Sequence, residues 1–182
     1  MNYKARAFLG FLAMLLLLAA AFVIGAYKAF NTERMQVELA GSGLSDVLGS
    51  RVEMGNNLLT VARRHPQADA ALLEAVENDI RALGAGTLQD KASANQRLSR
   101  DSSALLKNLE GLQSVQADSR DLSYVTGLLP RGLAQSAQWA DAERYNSAAS
   151  QFNQRLGGGL NGWVARLLGI RPAELFSEGG AQ

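Results

Sequence analysis

Apolar residues beyond residue 30 recur at steps of three and four, the spacing that lines one face of an α-helix. Four stretches carry this pattern, and strict alternation typical of a strand is not found. The four stripes comprise Leu44, Leu48, Val52, Gly55, Leu59 and Ala62; Ala68, Leu72, Val76, Ile80 and Leu83; Leu98, Leu105, Leu109, Leu112 and Val115; and Ala142, Tyr145, Ala149, Phe152 and Leu156. The sequence therefore predicts an all-α chain, with the stripes packed as an elongated antiparallel, four-helix-type bundle.

Helix-breaking residues separate the stripes. His65-Pro66 is expected to end the first helix, because a residue before proline avoids the α region. Gly84 and Gly86 end the second helix, Leu129-Pro130 breaks the third, and the glycines at 157–159 end the fourth.

The N-terminal segment has a different pattern, with no charged residue between positions 7 and 27. As a helix this run spans about 30 Å, the thickness of the hydrocarbon core of a bilayer. Tyr3 and Tyr27 flank it, where aromatic residues favour the membrane surface. The alternative is a cleaved signal peptide, but its apolar region is usually shorter and ends at a site with small residues. The sequence predicts an uncleaved transmembrane helix.

These patterns predict five segments. They are a short tail (1–6), a transmembrane helix (7–27), a juxtamembrane joint (28–43), a helical bundle domain (44–176) and a C-terminal tail (177–182). Gly41-Ser42-Gly43 is the expected place for a bend.

The charges near the span bear on its orientation. Lys4 and Arg6 precede it with the α-amino group, and Lys28 and Arg34 follow it. We expect the N-terminus in the cytoplasm, an inner-membrane location in a bacterium, and a domain on the extracytoplasmic, periplasmic side. Lipid around residues 7–27 is then the first partner.

Composition and charge exclude several functions. The chain has no cysteine, so disulfides and thiolate chemistry are excluded. Three of the 18 basic residues precede residue 31, and no acidic residue does. Residues 31–182 therefore carry 15 basic and 17 acidic side chains. This slightly acidic remainder lacks the basic stripe of a nucleic-acid-binding protein.

Signals for catalysis or for a cofactor are weak. His65 is the single histidine, with no second histidine for a metal site and no recognisable triad context. The segment GGGLNG (157–162) matches G-x-G-x-x-G formally, but it follows a helix rather than a strand. We expect no catalytic, metal-binding or cofactor-binding residues, and no enzyme.

An aromatic–asparagine pair occurs twice in the fourth predicted helix, as Tyr145-Asn146 and Phe152-Asn153. Seven residues are close to two helical turns, so both pairs point the same way. We expect the aromatic rings to anchor the helix in the core, and the asparagines to bind neighbouring helices or loops at its edge. Ligand binding by the asparagines is the alternative.

The segment after the glycines, residues 160–168, places apolar side chains together with Arg166 opposite them. The expected face comprises Leu160, Trp163, Val164, Leu167 and Leu168. One interpretation is a short helix that closes one end of the bundle. The other is a contact surface for a partner protein or a membrane.

Two motifs resemble the LemA family of proteins. Its C-terminal signature matches Arg144, Tyr145, Asn146, Phe152, Asn153, Gly169, Ile170, Arg171 and Phe176. A second motif matches Arg51, Glu53, Asn57, Leu58 and Leu59. The chain resembles a divergent member, since Met54-Gly55-Asn56 and the glycines at 157–159 depart from the pattern.

The resemblance implies a membrane-anchored helical bundle without established enzymatic activity. We therefore expect a structural module that binds other cell-envelope proteins and could form homo-oligomers. The alternative is an extracytoplasmic bundle that senses a ligand or, as in the family branch that builds magnetosome membranes, organises a membrane.

Overall fold

The computed structural model describes residues 3–137 and 140–177, and every regular element in these ranges is helical. The elements are α1 (Tyr3–Ala62), α2 (Ala70–Ala85), α3 (Leu88–Glu110), α4 (Gln113–Gln116), α5 (Ser119–Ser123), a π-helical turn (Tyr124–Leu128), α6 (Leu129–Ser136), α7 (Ala140–Gly157) and α8 (Gly159–Leu167). The all-α prediction is confirmed for this part of the chain.

The chain divides into two compact units. The N-terminal unit comprises residues up to Leu39 together with Ser147–Ala173. The central unit comprises Ala40–Asn146 and the residues from Glu174 onward.

The N-terminal unit contains one helix segment that is long and apolar enough to cross a membrane. An 18-residue window of α1 has a mean hydropathy of 2.8, and none of it is buried. Directly after the apolar run, the ring of Phe30 meets Phe152 of α7 edge to face, with 6.2 Å between ring centroids. Arg155 of α7 forms an ion pair with Glu33 of α1. These two contacts fix α7 beside α1 in this unit.

The core of the central unit is built from aliphatic side chains of several helices. Leu58, Val76, Leu98, Leu105, Leu109, Val115 and Val125 are completely buried there. Helices α2 and α3 pack against each other. Gly55 of α1 allows Ile80 to approach closely, since a Cβ at Gly55 would lie 2.7 Å from Ile80 Cδ1.

Side-chain caps define the starts of the two long helices in the centre of the chain. Asp69 accepts hydrogen bonds from the backbone N–H groups of Ala71 and Leu72 at the start of α2. Thr87 and Asp90 form a reciprocal capping box at the start of α3. These caps explain why α2 and α3 begin where they do.

Two expected interruptions are helical instead. Residues 28–43, predicted as a joint, lie inside α1. Gly41 lies beside the ring of Tyr145, where a Cβ would be in ordinary van der Waals contact at 3.5 Å. A glycine inside a helix costs only about 1 kcal/mol, which a long packed helix tolerates.

The chain is also helical on both sides of Pro130. This proline occupies the first turn of α6, where proline is tolerated because its missing N–H has no helical partner to lose. The preceding turn is π-helical, and in it the N–H of Leu129 donates to the carbonyl of Tyr124, five residues earlier. The chain therefore stays helical up to Pro130. At His65-Pro66, by contrast, α1 has already ended at Ala62, followed by tight turns through Arg64 and His65.

Candidate functional site

In the central unit, the first aromatic–asparagine pair of α7 holds the C-terminal segment of the chain. The side-chain amide of Asn146 donates to the carbonyl of Phe176 at 2.8 Å, and its Oδ1 accepts from the N–H of Phe176 at 2.7 Å. The buried Tyr145 donates its hydroxyl to the carbonyl of Glu174 at 2.8 Å. Burial, together with the nearby Glu174 carboxylate, raises the pKa of Tyr145, so the hydroxyl keeps its proton.

In the N-terminal unit, the second pair repeats this arrangement. Asn153 donates from Nδ2 to the carbonyl of Ala173 at 2.8 Å, and its Oδ1 accepts from the N–H of Ala173 at 2.7 Å. Phe152 is buried beside Phe30. Each asparagine therefore satisfies both backbone polar groups of one residue in a segment that has no helix of its own.

The asparagines thus bind a segment of this chain without regular secondary structure, and the expected contacts to a loop are found. That segment follows Gly169, whose φ of 84° lies in the left-handed region that glycine adopts without strain. Ile170 and Phe176 of the same segment are buried in their units. We call Asn146 and Asn153 the asparagine clamps. Arg144, from the same motif, is exposed.

Arg51 is a completely buried arginine of the central unit. Its guanidinium donates to the carbonyls of Leu133 and Asn95 at 3.1 Å each, and to Ser99 Oγ at 2.6 Å. Among the described residues these partners are all uncharged, and burial lowers the pKa of Arg51. Arg51 therefore ties α1 to α3 and α6, and it lines a cavity of about 150 Å³ together with Ser102.

A cluster of polar side chains that sequence reasoning missed surrounds His65. Its Nδ1 lies 3.0 Å from Ser114 Oγ, and its Nε2 lies 3.2 Å from Asp121 Oδ2. Asp121 is buried and also accepts from Arg64 Nη1 at 2.8 Å. The sequence showed no recognisable triad context for His65, yet the fold brings serine, histidine and aspartate together from segments about 50 residues apart.

The ring contacts of this cluster differ from those of the serine-protease triad. There the serine bonds Nε2 and the aspartate bonds Nδ1, whereas here Ser114 faces Nδ1 and Asp121 faces Nε2. The cluster joins the turn after α1 to α4 and α5. Within residues 3–137 and 140–177, no three His, Cys, Asp or Glu side chains are grouped to hold a metal ion.

A groove of about 380 Å³ lies on the central unit next to this cluster. Its lining comprises Met54, Asn57, Thr60, Val61, Arg64, Arg120, Tyr124, Leu128 and Leu129. Leu128 is 60% exposed, and the guanidinium of Arg120 lies 5.9 Å from the centroid of the Tyr124 ring. The lining combines apolar side chains with two arginines and contains no acidic residue. Asn57 is exposed here, while its neighbour Leu58 is buried.

In the N-terminal unit, α8 places its apolar residues on two sides. Leu160, Trp163 and Leu167 are exposed, at 64%, 54% and 67%. Val164, expected on the same contact face, is turned inward and buried. It packs inward because the buried Gly162 and Ala165 bring that side of the helix against the unit.

No protein-family model matches the chain. A search of the curated proteins finds no significant match. The LemA resemblance therefore stays a prediction that rests on the motif residues themselves.

The asparagine clamps give the first testable prediction. Asn146→Ala and Asn153→Ala should each lower the free energy of unfolding by about 1–3 kcal/mol, because two backbone groups lose their partner. Thermal melting of the full chain in detergent measures this, with the exposed Asn56→Ala as control, expected within about 0.5 kcal/mol of wild type. If both clamp variants melt like wild type, the structural role is wrong and ligand binding becomes the better hypothesis.

Proposed function

We propose that this chain is a non-catalytic, single-pass membrane protein that presents a helical bundle to other proteins of the bacterial cell envelope. Residues 7–27 would cross the inner membrane, with the N-terminus in the cytoplasm and the bundle on the extracytoplasmic side. A divergent relationship to the LemA family and an antiparallel packing of the bundle belong to the same proposal.

One observation carries this proposal: a single helix, α1, has two different surfaces along its length. Its first part exposes only apolar side chains over the run of residues 7–27, whereas Arg51, Leu58 and Ala62 farther along are buried in the central unit. An apolar exposed helix is costly in water and stable in lipid. The same helix thus serves as membrane anchor and as core element, which suits a protein that holds a domain near a membrane.

The His65 cluster is assigned a structural role in this proposal. His65 and Asp121 are both buried, and their polar atoms are used in bonds to neighbouring segments. Buried polar groups of this kind stabilise a fold when all of them are paired. The bonds hold the end of α1 to α4 and α5.

For the partner, the groove on the central unit is the favoured contact surface. Its apolar floor and its two arginines, Arg64 and Arg120, complement a partner segment with apolar and acidic side chains. The exposed Leu128 provides an accessible apolar contact at this surface.

Site-specific photo-crosslinking in the cells that make the protein tests the proposal. We expect a photoreactive residue in place of Tyr124 or Leu128 to give discrete protein adducts. The same residue at the exposed positions Glu74 and Lys107 is the control, and these should give few or none. Adducts that are absent from the groove, or equally strong at all four positions, would contradict a protein-binding groove and favour a ligand-sensing domain.

A further inference from the structure

Helix α8 has an exposed apolar stripe with helical spacing. Leu160, Trp163 and Leu167 follow one another at steps of three and four, so they lie on one face. Leu168 extends the stripe at 43% exposed. A contiguous exposed patch of this kind on a short helix marks a contact with a partner or a membrane.

Two glycines, Gly159 and Gly162, define the position of α8 against the end of α7. Gly159 has a φ of 64°, in the left-handed region, and so turns the chain sharply after α7. Gly162 lies directly against the end of α7, where an added Cβ would stand 2.5 Å from the carbonyl oxygen of Leu156. The apolar stripe is therefore a fixed surface of the N-terminal unit, since α8 cannot turn its stripe inward without breaking this contact.

The position of α8 in its unit, close to the end of the apolar run, favours lipid as the cover of the stripe. Phe152 meets Phe30, three residues beyond the end of the apolar run, and α8 begins seven residues after Phe152. Three helical residues rise about 4.5 Å, so Phe30 and the ring of Phe152 against it lie within the headgroup layer when residues 7–27 span the bilayer. The headgroup layer of a bilayer adds about 5–7 Å on each side of the hydrocarbon core. Ala26, inside the run itself, is already buried, so protein packs against the last turn of the span.

The residues around the stripe suit a lipid surface. Tryptophan and leucine are the side chains that helices lying in the membrane interface present to lipid. Arg166 and Arg171 are exposed close by, where they can reach lipid phosphates.

We propose that α8 lies on the membrane surface, with Leu160, Trp163 and Leu167 inserted among the lipid headgroups, as a second membrane contact. The inference rests on the proposed anchoring by residues 7–27. It deepens that proposal by assigning the orientation of the N-terminal unit: the side that carries α8 faces the bilayer.

Tryptophan fluorescence of the full chain in lipid nanodiscs tests this contact. The chain has two tryptophans, so Trp139→Phe leaves Trp163 as the sole reporter. The nanodiscs contain phosphatidylcholine and phosphatidylglycerol, with bromine placed either near the headgroups or deep in the acyl chains. We expect Trp163 to be quenched by shallow bromine more than by deep bromine, and to be protected from iodide in the water.

Two further variants, made with both tryptophans replaced by Phe, supply the controls. Gln36→Trp, at an exposed polar position of α1 about 13 Å beyond the apolar run, should be open to iodide and unaffected by bromine. Leu15→Trp, inside the apolar run, should be quenched most by deep bromine and reports the anchoring separately. If Leu15→Trp is quenched but Trp163 is as open to iodide as Gln36→Trp, the surface contact is refuted while the anchoring stands.

Two remaining outcomes also overturn the inference. Trp163 that is protected from iodide yet unquenched by bromine means that protein, such as a second copy of the chain, covers the stripe. Leu15→Trp that is not quenched by bromine means that the anchoring itself fails, and the surface contact fails with it.

Discussion

Replacing Leu109 by Asp is expected to unfold the central unit. Leu109 is completely buried in α3 among the aliphatic side chains of that unit. An unpaired charge in such a place costs several kcal/mol, comparable with the 5–15 kcal/mol that stabilises a typical domain. The cooperative thermal transition of the full chain in nanodiscs, followed by circular dichroism and by limited proteolysis, should disappear.

Leu128→Asp provides a matched control for this change. It makes the same substitution at a leucine that is 60% exposed in the same unit. The charge stays in water there, so the transition should remain, with a change within about 0.5 kcal/mol. A Leu109→Asp variant that melts like wild type would contradict the described core of α1, α2 and α3.

Replacing Phe152 by Ala is the second change with a large expected effect. Phe152 is 3% exposed and packs edge to face on Phe30 in the N-terminal unit. Truncation of a buried phenylalanine removes its transfer energy and leaves a cavity, for a loss of about 3–5 kcal/mol in the free energy of unfolding. Thermal melting of the full chain in detergent measures the loss.

Phe152→Leu distinguishes lost volume from a general disturbance of α7. Leucine fills most of the same space, so this variant should lose clearly less stability than Phe152→Ala. Equal losses in both variants, or none in either, would show that the ring does not hold α7 beside α1.

Much of the helical architecture follows from periodicity. The stripes at steps of three and four predicted the helical class and most helix cores, because burying one face requires that spacing. The glycines at 157–159 correctly ended α7. The predicted interruptions at 41–43 and at Pro130 differ from the structure, because a long helix tolerates the cost of about 1 kcal/mol per glycine and Pro130 lies in the first turn of α6, after the π-helical turn.

The polar contacts were much harder to derive. The repeat at Asn146 and Asn153 indicated a shared role, but their partners at Phe176 and Ala173 lie in a segment that has no regular secondary structure and no periodic pattern. The His65 cluster joins residues about 50 positions apart, a distance at which spacing carries no geometric information. Locally, the sequence indicated only a helix end at His65-Pro66.

Membrane anchoring by residues 7–27 is the central claim. A charged variant of the same segment provides the control for its test. Leu16→Arg combined with Leu17→Arg places two charges in the middle of the run. Each arginine there costs about 2.5–3.5 kcal/mol for insertion. This variant should lose stable membrane attachment.

Extraction of isolated membranes with alkaline carbonate tests the anchoring most directly. We expect the wild-type chain to stay in the membrane pellet at full length, because α1 carries an apolar, exposed run long enough to span the bilayer. Release of the wild-type chain into the supernatant, or a shortened species that begins near residue 27, would contradict it.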